Sequence, residues 1–441
     1  MIKLSDHFTT RRLLRFTLPS VIMMLFTSVY LVVDGYFVSN FVGKNALATV
    51  NMIYPVIMVV GAIGFMFGTG GSALVAKTLG EGDEEKARRR FSTVYLASAA
   101  SGTVIALPAF IFLPQIAAFL GAEGLLHENC VIYGRILLLT SVLFLIQMES
   151  QIFFITAEKP RLGLMTTVLS CGTNMVLDLL FCAVFHWGIR GAAWATAISQ
   201  AIGGVIPLTY FTLQRKGKLY FVKPDMDMRT ISKSASNGLS ELVSNVSAAV
   251  VSMLFNAQLL RFAGEDGVAA YSVLMYVSMV FVAVFIGLSS GSAPIFSYCY
   301  GAENHDELKS LTKKLLTLTV ISSLFMLAFS ISMARPLSRI FVGYDEELYA
   351  MTVRGFMIYS LSFLFAGVSI FSSSFFTALN NGIVSAVISL MRTFILQTLS
   401  VLVLPMILGL DGIWLSIDVA EVISFFLSLF FLIKLRKTYH Y

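Results

Sequence analysis

Long apolar runs recur along the whole chain and constrain its folding more than any other feature. They fall near 15–39, 49–76, 91–119, 131–157, 163–187, 191–213, 236–262, 268–299, 311–334, 350–378, 384–408 and 412–433, parted by polar or Gly/Pro-marked breaks. A helix needs about 20 apolar residues to cross a bilayer, whereas a membrane barrel reads as alternating segments of about 10. Helices are therefore expected. Of 441 residues, 57% are hydrophobic and 13% charged. A soluble domain carries about 25% charged residues, so polar side chains are too scarce to cover globular domains in water. The expected fold is an all-α membrane protein of twelve transmembrane helices, which excludes long soluble catalytic or nucleic-acid-binding domains. The breaks at 188–190 and 409–411 are short enough to require tight turns.

The formal charge of +6 bears on orientation through its distribution. Most of the 31 Lys and Arg fall in 1–15, 77–90, 159–161, 214–233, 309–314 and 434–437, loops that share the side of the termini. The opposite loops hold Lys44, Arg190, Arg261, Arg335 and Arg339, together with the acidic stretches at 123–128 and 345–347. The positive-inside rule places both termini in the cytoplasm, and the expected location is a plasma (bacterial inner) membrane. The basic start MIKLSDHFTTRRLLR precedes a long apolar run without a small-residue cleavage site, so that run is expected to be a retained first span. Cys130, Cys171, Cys182 and Cys299 are scattered, with neither disulfide nor metal spacing.

The chain matches itself at an offset of 221 residues. Phe41 and Gly43 meet Phe262 and Gly264, Gly80 meets Gly301, Thr156-Ala157 meets Thr377-Ala378, and Gly188 and Gly191 meet Gly409 and Gly412. Six spans per half give both halves one direction through the membrane, related by a pseudo-two-fold axis along its normal. Transporters built from parallel repeats have this form and place the substrate route between the halves. The expected lobes are 1–213 and 236–441, joined by a cytoplasmic linker at 214–235.

A carboxylate at the centre of a membrane helix costs about 2.5–3.5 kcal/mol on the insertion scale and usually has a function or a partner. Asp34 shares a helical face with Thr27 and Tyr30; Asn174 and Asp178 are one turn apart; Thr196, Ser199 and Gln200 form a polar stripe. All lie in the outer half of the N-terminal lobe. Oxygen ligands at similar depth suit H⁺ or Na⁺, because hard cations prefer oxygen donors. The bland reading is hydrogen bonding between neighbouring helices. The 221 offset maps Asp34 onto Phe255 and Asp178 onto Leu399, so the C-terminal lobe lacks equivalent acids. That lobe has Arg392, Asp418 and Glu421 instead, for which either an Arg392–Glu421 ion pair or a place in the substrate path is expected. Glu149 and Glu241 lie nearer the cytoplasmic ends, where water can solvate them. Of 20 Met and 37 Phe, a minority can line a deformable pocket for flat apolar ligands. The run GAIGFMFGTGGSALVAKT has Ala76 where a phosphate-binding loop needs Gly, so it reads as close helix packing.

The order and spacing of several pieces resemble the multidrug and toxic compound extrusion (MATE) transporters: LPS at 18–20 followed by VDGYFV with Asp34, GSALVAKTLGEGDEEKAR, TNMVLD with Asn174 and Asp178, GIRGAAWATAIS with Thr196, PIFSYCYGAEN, and GLDGIWLSIDVAE. The resemblance covers nearly the whole chain. It implies export of organic, cationic and often aromatic compounds in exchange for H⁺ or Na⁺ by rocking of two lobes. In the similar branch it implies a coupling site at Asp34, Asn174, Asp178 and Thr196, with Pro19 as a bending point of the first helix. Tyr30, Gln200, Glu149, Glu241, Arg392, Asp418 and Glu421 remain candidates for the cavity or substrate path. Span 10 has no acid for a second coupling site, and NGLSELVSN lacks a proline after Gly238. The expected partners are a small organic substrate and membrane lipid, with no cofactor, nucleotide or nucleic acid, and the chain is expected to work as a monomer. A lipid or oligosaccharide flippase of related architecture is the alternative. Five histidines give no catalytic constellation, and no enzyme is expected.

Overall fold

The computed structural model describes residues 2–225 and 227–441, which are helical throughout their long elements and contain no strand. The first lobe comprises α1 (Thr10–Phe37), α2 (Lys44–Gly80), α3 (Glu84–Ile111), α4 (Gly124–Thr156), α5 (Pro160–Asp178) and α6 (Gly188–Leu213). The second opens with a 63-residue stretch, Leu239–Gly301. Straight, that stretch would be about 95 Å long, three times the hydrocarbon thickness. It breaks at Gly264 (φ 62°, ψ −150°) into α7 (239–263) and α8 (265–301). The arms run back along each other, with the Phe255 and Tyr271 rings stacked at 5.2 Å. After α9 (His305–Val342), α10 consists of Glu346–Tyr359 and Ser362–Ala378, bent by 46°. The segments Gly382–Leu390 and Leu396–Leu408 make α11, and Leu410–Tyr439 is α12. Among the described residues ten helices are long and apolar enough to cross a membrane; counting the bent pair as one span and the two arms at Gly264 as separate spans restores the expected twelve.

Local geometry reproduces the repeat. Asp83 and Asn304 occupy matching positions and cap α3 and α9, accepting from the N–H of Lys86 (3.0 Å) and Glu307 (3.1 Å). The residues just before them, Gly82 (φ 85°) and Glu303 (φ 54°), share the left-handed conformation that each turn requires. Gly188 (φ 62°) and Gly409 (φ 59°) make the two tight turns at the opposite end.

The glycine-rich run of α2 is the close-packing surface that its composition suggests. A Cβ on Gly64 would lie 2.4 Å from the Leu145 carbonyl oxygen, so α2 and α4 touch through backbone. Lipid offers no hydrophobic force between helices, so such contact holds them by dispersion. Around Tyr95, the rings of Phe91, Phe153, Phe211 and Phe221 fill the terminal end of the first lobe. Phe221 belongs to the segment after α6, which is fastened to α3 by Val222 N–H to Ser92 Oγ (3.0 Å) and Thr93 Oγ1 to the Asp225 carbonyl (2.7 Å). A short helix, Met228–Asn237, then leads to α7, two residues beyond the expected end of the linker. Its cap, Asp227, accepts from Arg229 N–H at 2.9 Å, which holds its carboxyl below the usual range.

Both termini lie at one end of the molecule: Phe8 N–H donates to Glu307 Oε1 (2.9 Å), and His440 contacts His305. The lobes are fastened at that end. A Cβ on Gly80 would meet the Tyr298 carbonyl oxygen at 2.1 Å, and one on Gly301 would meet that of Lys77 at 2.0 Å. Asn237 Nδ2 donates to the Thr377 carbonyl (2.9 Å), and Gly238 abuts the backbone of Met66 and Gly70.

Candidate functional site

Two acids stand beside irregular helix. Asp34 precedes a π-helical turn, Val38–Val42, whose first N–H reaches the carbonyls of both Asp34 and Gly35. Asp178 is the last residue of α5 before a second π-helical segment, Leu179–Val184. A third such segment, Met391–Ile395, carries Arg392. Each inserts extra backbone into a span, a feature frequent at functional sites.

The Asp34 and Asp178 carboxyl groups lie side by side, within side-chain interaction range of each other. Oδ1 of each has no protein donor. Carboxylates only accept, so this contact needs a proton on one of them or a cation between them. With its amide turned to satisfy both neighbours, Asn174 donates to Asp178 Oδ2 (2.7 Å) and accepts from Thr196 N–H (3.3 Å). Thr196 Oγ1 donates to the Ala192 carbonyl (3.1 Å), with the Tyr133 phenol beside it. Asp178 and Asn174 are fully buried. The four residues named from sequence therefore form one constellation across α1, α5 and α6. Among the described residues no group of three or more His, Cys, Asp or Glu could hold a metal ion. Two carboxylates with neutral oxygens instead match H⁺ or a hard monovalent cation.

Tyr30 and, on α4, Tyr133 lie within electrostatic reach of both acids, and Tyr54 on α2 within reach of Asp34. Tyr54 and Tyr133 were not identified from sequence, being two of the chain's 16 tyrosines. Their only signal was a phenol at the depth of the acids.

The other candidates lie elsewhere. Gln200 accepts from Thr140 Oγ1 (3.1 Å) and ties α6 to α4, one turn from Thr196. Glu149 is fully buried and accepts from the Ser98 hydroxyl, away from the acid pair. Arg392 forks onto Glu421, Nε to Oε1 at 2.9 Å and Nη2 to Oε1 at 2.9 Å, as the ion-pair reading expected. Asp418 is buried one turn before Glu421. Glu241 and Arg392 face a cavity between the lobes. Pro19 sits inside an unbroken α1, where Ser20 and Val21 press on Gly291 and Gly287 of α8. All four cysteines are free and buried.

Multidrug export protein MepA of Staphylococcus haemolyticus is 23% identical over 430 residues, covering 97% of this chain and 94% of that protein. In fold, the chain resembles crystal structures of a MATE protein in its straight conformation (TM-score 0.90, 21% identity, 98% of both chains) and in its bent conformation (TM-score 0.86, 21% identity, 99% of this chain and 98% of that one). The MatE family model matches twice, at residues 19–180 and 242–402, once in each six-helix lobe. On this match over most of its length, the chain belongs to the MatE family.

Proposed function

We propose that the protein is a multidrug exporter that exchanges organic cations for H⁺ or Na⁺ by alternating access, with Asp34, Asn174, Asp178 and Thr196 as its coupling site. The observation that carries this reading is the Asp34–Asp178 contact, which needs a positive ion. The staphylococcal MepA relative is a multidrug export protein, in line with the substrate class.

The coupling follows from charge. With the ion bound, the acid pair is partly neutralised, and α1, α5 and α6 can close around it. Without it, two adjacent carboxylates repel, and the first lobe relaxes toward an arrangement that admits water. A ligand shifts such an equilibrium only through its different affinity for the two states. One positive charge moving inward across 100 mV supplies about 2.3 kcal/mol, roughly a 50-fold gradient. That drives export without ATP. With the basic loops placed in the cytoplasm, the side on which the lobes are fastened is the cytoplasmic one, and the described state is open outward.

The test is ethidium efflux from everted vesicles under separately imposed pH and Na⁺ gradients. The Asp34→Asn and Asp178→Asn variants should fold, bind ethidium and lose gradient-driven efflux. Near-normal efflux from both would reject the assignment.

A further inference from the structure

The cavity between the lobes has a chemistry of its own. It measures about 130 Å³ and lies between α2 and α4 of the first lobe and α7, α8, α10 and α11 of the second. Among the described residues, its lining contains no aromatic side chain and no methionine. Hydroxyls dominate instead, among them Ser72, Ser244, Ser290 and Ser389. Two charged residues reach it, Glu241 and Arg392.

Those charges are not equivalent. Arg392 is held by Glu421, with both carboxylate oxygens within 3.0 Å of its Nε, and its side chain is 16% exposed against 4% for Glu421. The guanidinium is thereby neutralised from the side away from the cavity. Glu241 forms no ion pair among the described residues and senses Arg392 only at longer range. The wall thus presents one carboxylate without a counter-charge, surrounded by hydroxyl oxygens.

We infer that this cavity is a subsite for the protonated primary or secondary amine of a substrate, with Glu241 as counter-ion and the serine hydroxyls as acceptors for its N–H groups. A quaternary ammonium has no N–H and is held best over aromatic faces, which this lining lacks. A cavity of about 150 Å³ holds benzene, so the volume here admits about six non-hydrogen atoms: an aliphatic ammonium arm, not a fused-ring drug body. Leaving hydroxyl acceptors unpaired penalises the methylated ion further. The inference rests on the exporter reading and adds which cations the site prefers.

The test compares radiolabelled n-butylammonium with its isomer tetramethylammonium, which are equal in heavy atoms, for binding to the purified full-length protein, with ethidium efflux followed separately. The primary amine should bind at least tenfold more tightly, Glu241→Gln should abolish that preference, and Glu241→Asp should retain it. Ser290→Ala should weaken the primary amine alone. Equal binding of the two ions, or a preference that survives Glu241→Gln, overturns the inference. A preserved preference without ethidium efflux under any gradient upholds the subsite and removes the exporter reading; efflux without the preference does the reverse.

Discussion

Replacing Gly301 by Ala should push the protein out of the state described here. The added Cβ would lie 2.0 Å from the Lys77 carbonyl oxygen, 2.8 Å from its carbon and 3.0 Å from its Cα, all backbone of α2. A carbon and a carbonyl oxygen approach to about 3.3 Å at closest. No rotamer relieves the overlap, so α8 and α2 must part by more than about 1 Å. Overpacking of this kind costs about 1–3 kcal/mol, which corresponds to a shift of about 5- to 150-fold between two conformers. The cost falls only on the state fastened at the terminal end, because rocking the lobes apart there removes the contact. A single cysteine at Ser290, in a background with the four native cysteines replaced, reports the change through its rate of labelling by an impermeant maleimide from that side. Gly301→Ala should raise the rate within the same range of about 5- to 150-fold, and Gly80→Ala, facing the Tyr298 carbonyl oxygen at 2.1 Å, should do likewise. The double variant should fall short of the product, since one separation relieves both overlaps. Gly172→Ala, with nothing within 4 Å of its Cβ, is the control. Unchanged labelling in Gly301→Ala with unchanged melting would show that the α2–α8 crossing does not hold the lobes together.

Two further outcomes follow from buried groups. Arg392→Met leaves Glu421 charged and 4% exposed with its partner gone, so thermal unfolding in detergent should show a loss of about 3–5 kcal/mol; the double variant with Glu421→Leu should recover most of it. Phe8→Ala removes a fully buried ring from the N-terminal segment, which joins the first lobe through Leu4 N–H to Glu158 (2.7 Å) and the second through Phe8 N–H to Glu307. Truncation of a core Phe costs about 3–5 kcal/mol where the site cannot collapse, and the same cysteine assay should report faster labelling on the terminal side.

Periodicity and charge made the twelve spans, the repeat and the tight turns legible, because length, apolarity and glycine position follow directly from bilayer thickness and backbone sterics. The candidate site was legible for a related reason: Asp34, Asn174 and Asp178 stand out against apolar neighbours, since a membrane helix rarely retains an acid without use for it. Three features were hidden. The π-helical segments after Asp34 and Asp178 and around Arg392 depend on which carbonyl each N–H selects, and no residue type dictates that choice. The phenols of Tyr54 and Tyr133 could be placed near the acids only once α2 and α4 were packed beside α1 and α6. The cavity lining was hidden because composition counts residues without regard to direction: phenylalanines such as Phe91, Phe153 and Phe211 turn into the lobe core, and others such as Phe325, Phe426 and Phe430 turn outward. What faces the space between the lobes is mainly a set of small hydroxyl residues. Under the proposed exchange, small residues would let helices of opposite lobes approach and separate without interlocking, and their hydroxyls would solvate a charged passenger while the lobes are apart, so one composition along the interface would serve both the movement and the cargo. This is why Glu241, the uncompensated charge in that wall, is the residue on which the substrate preference should turn.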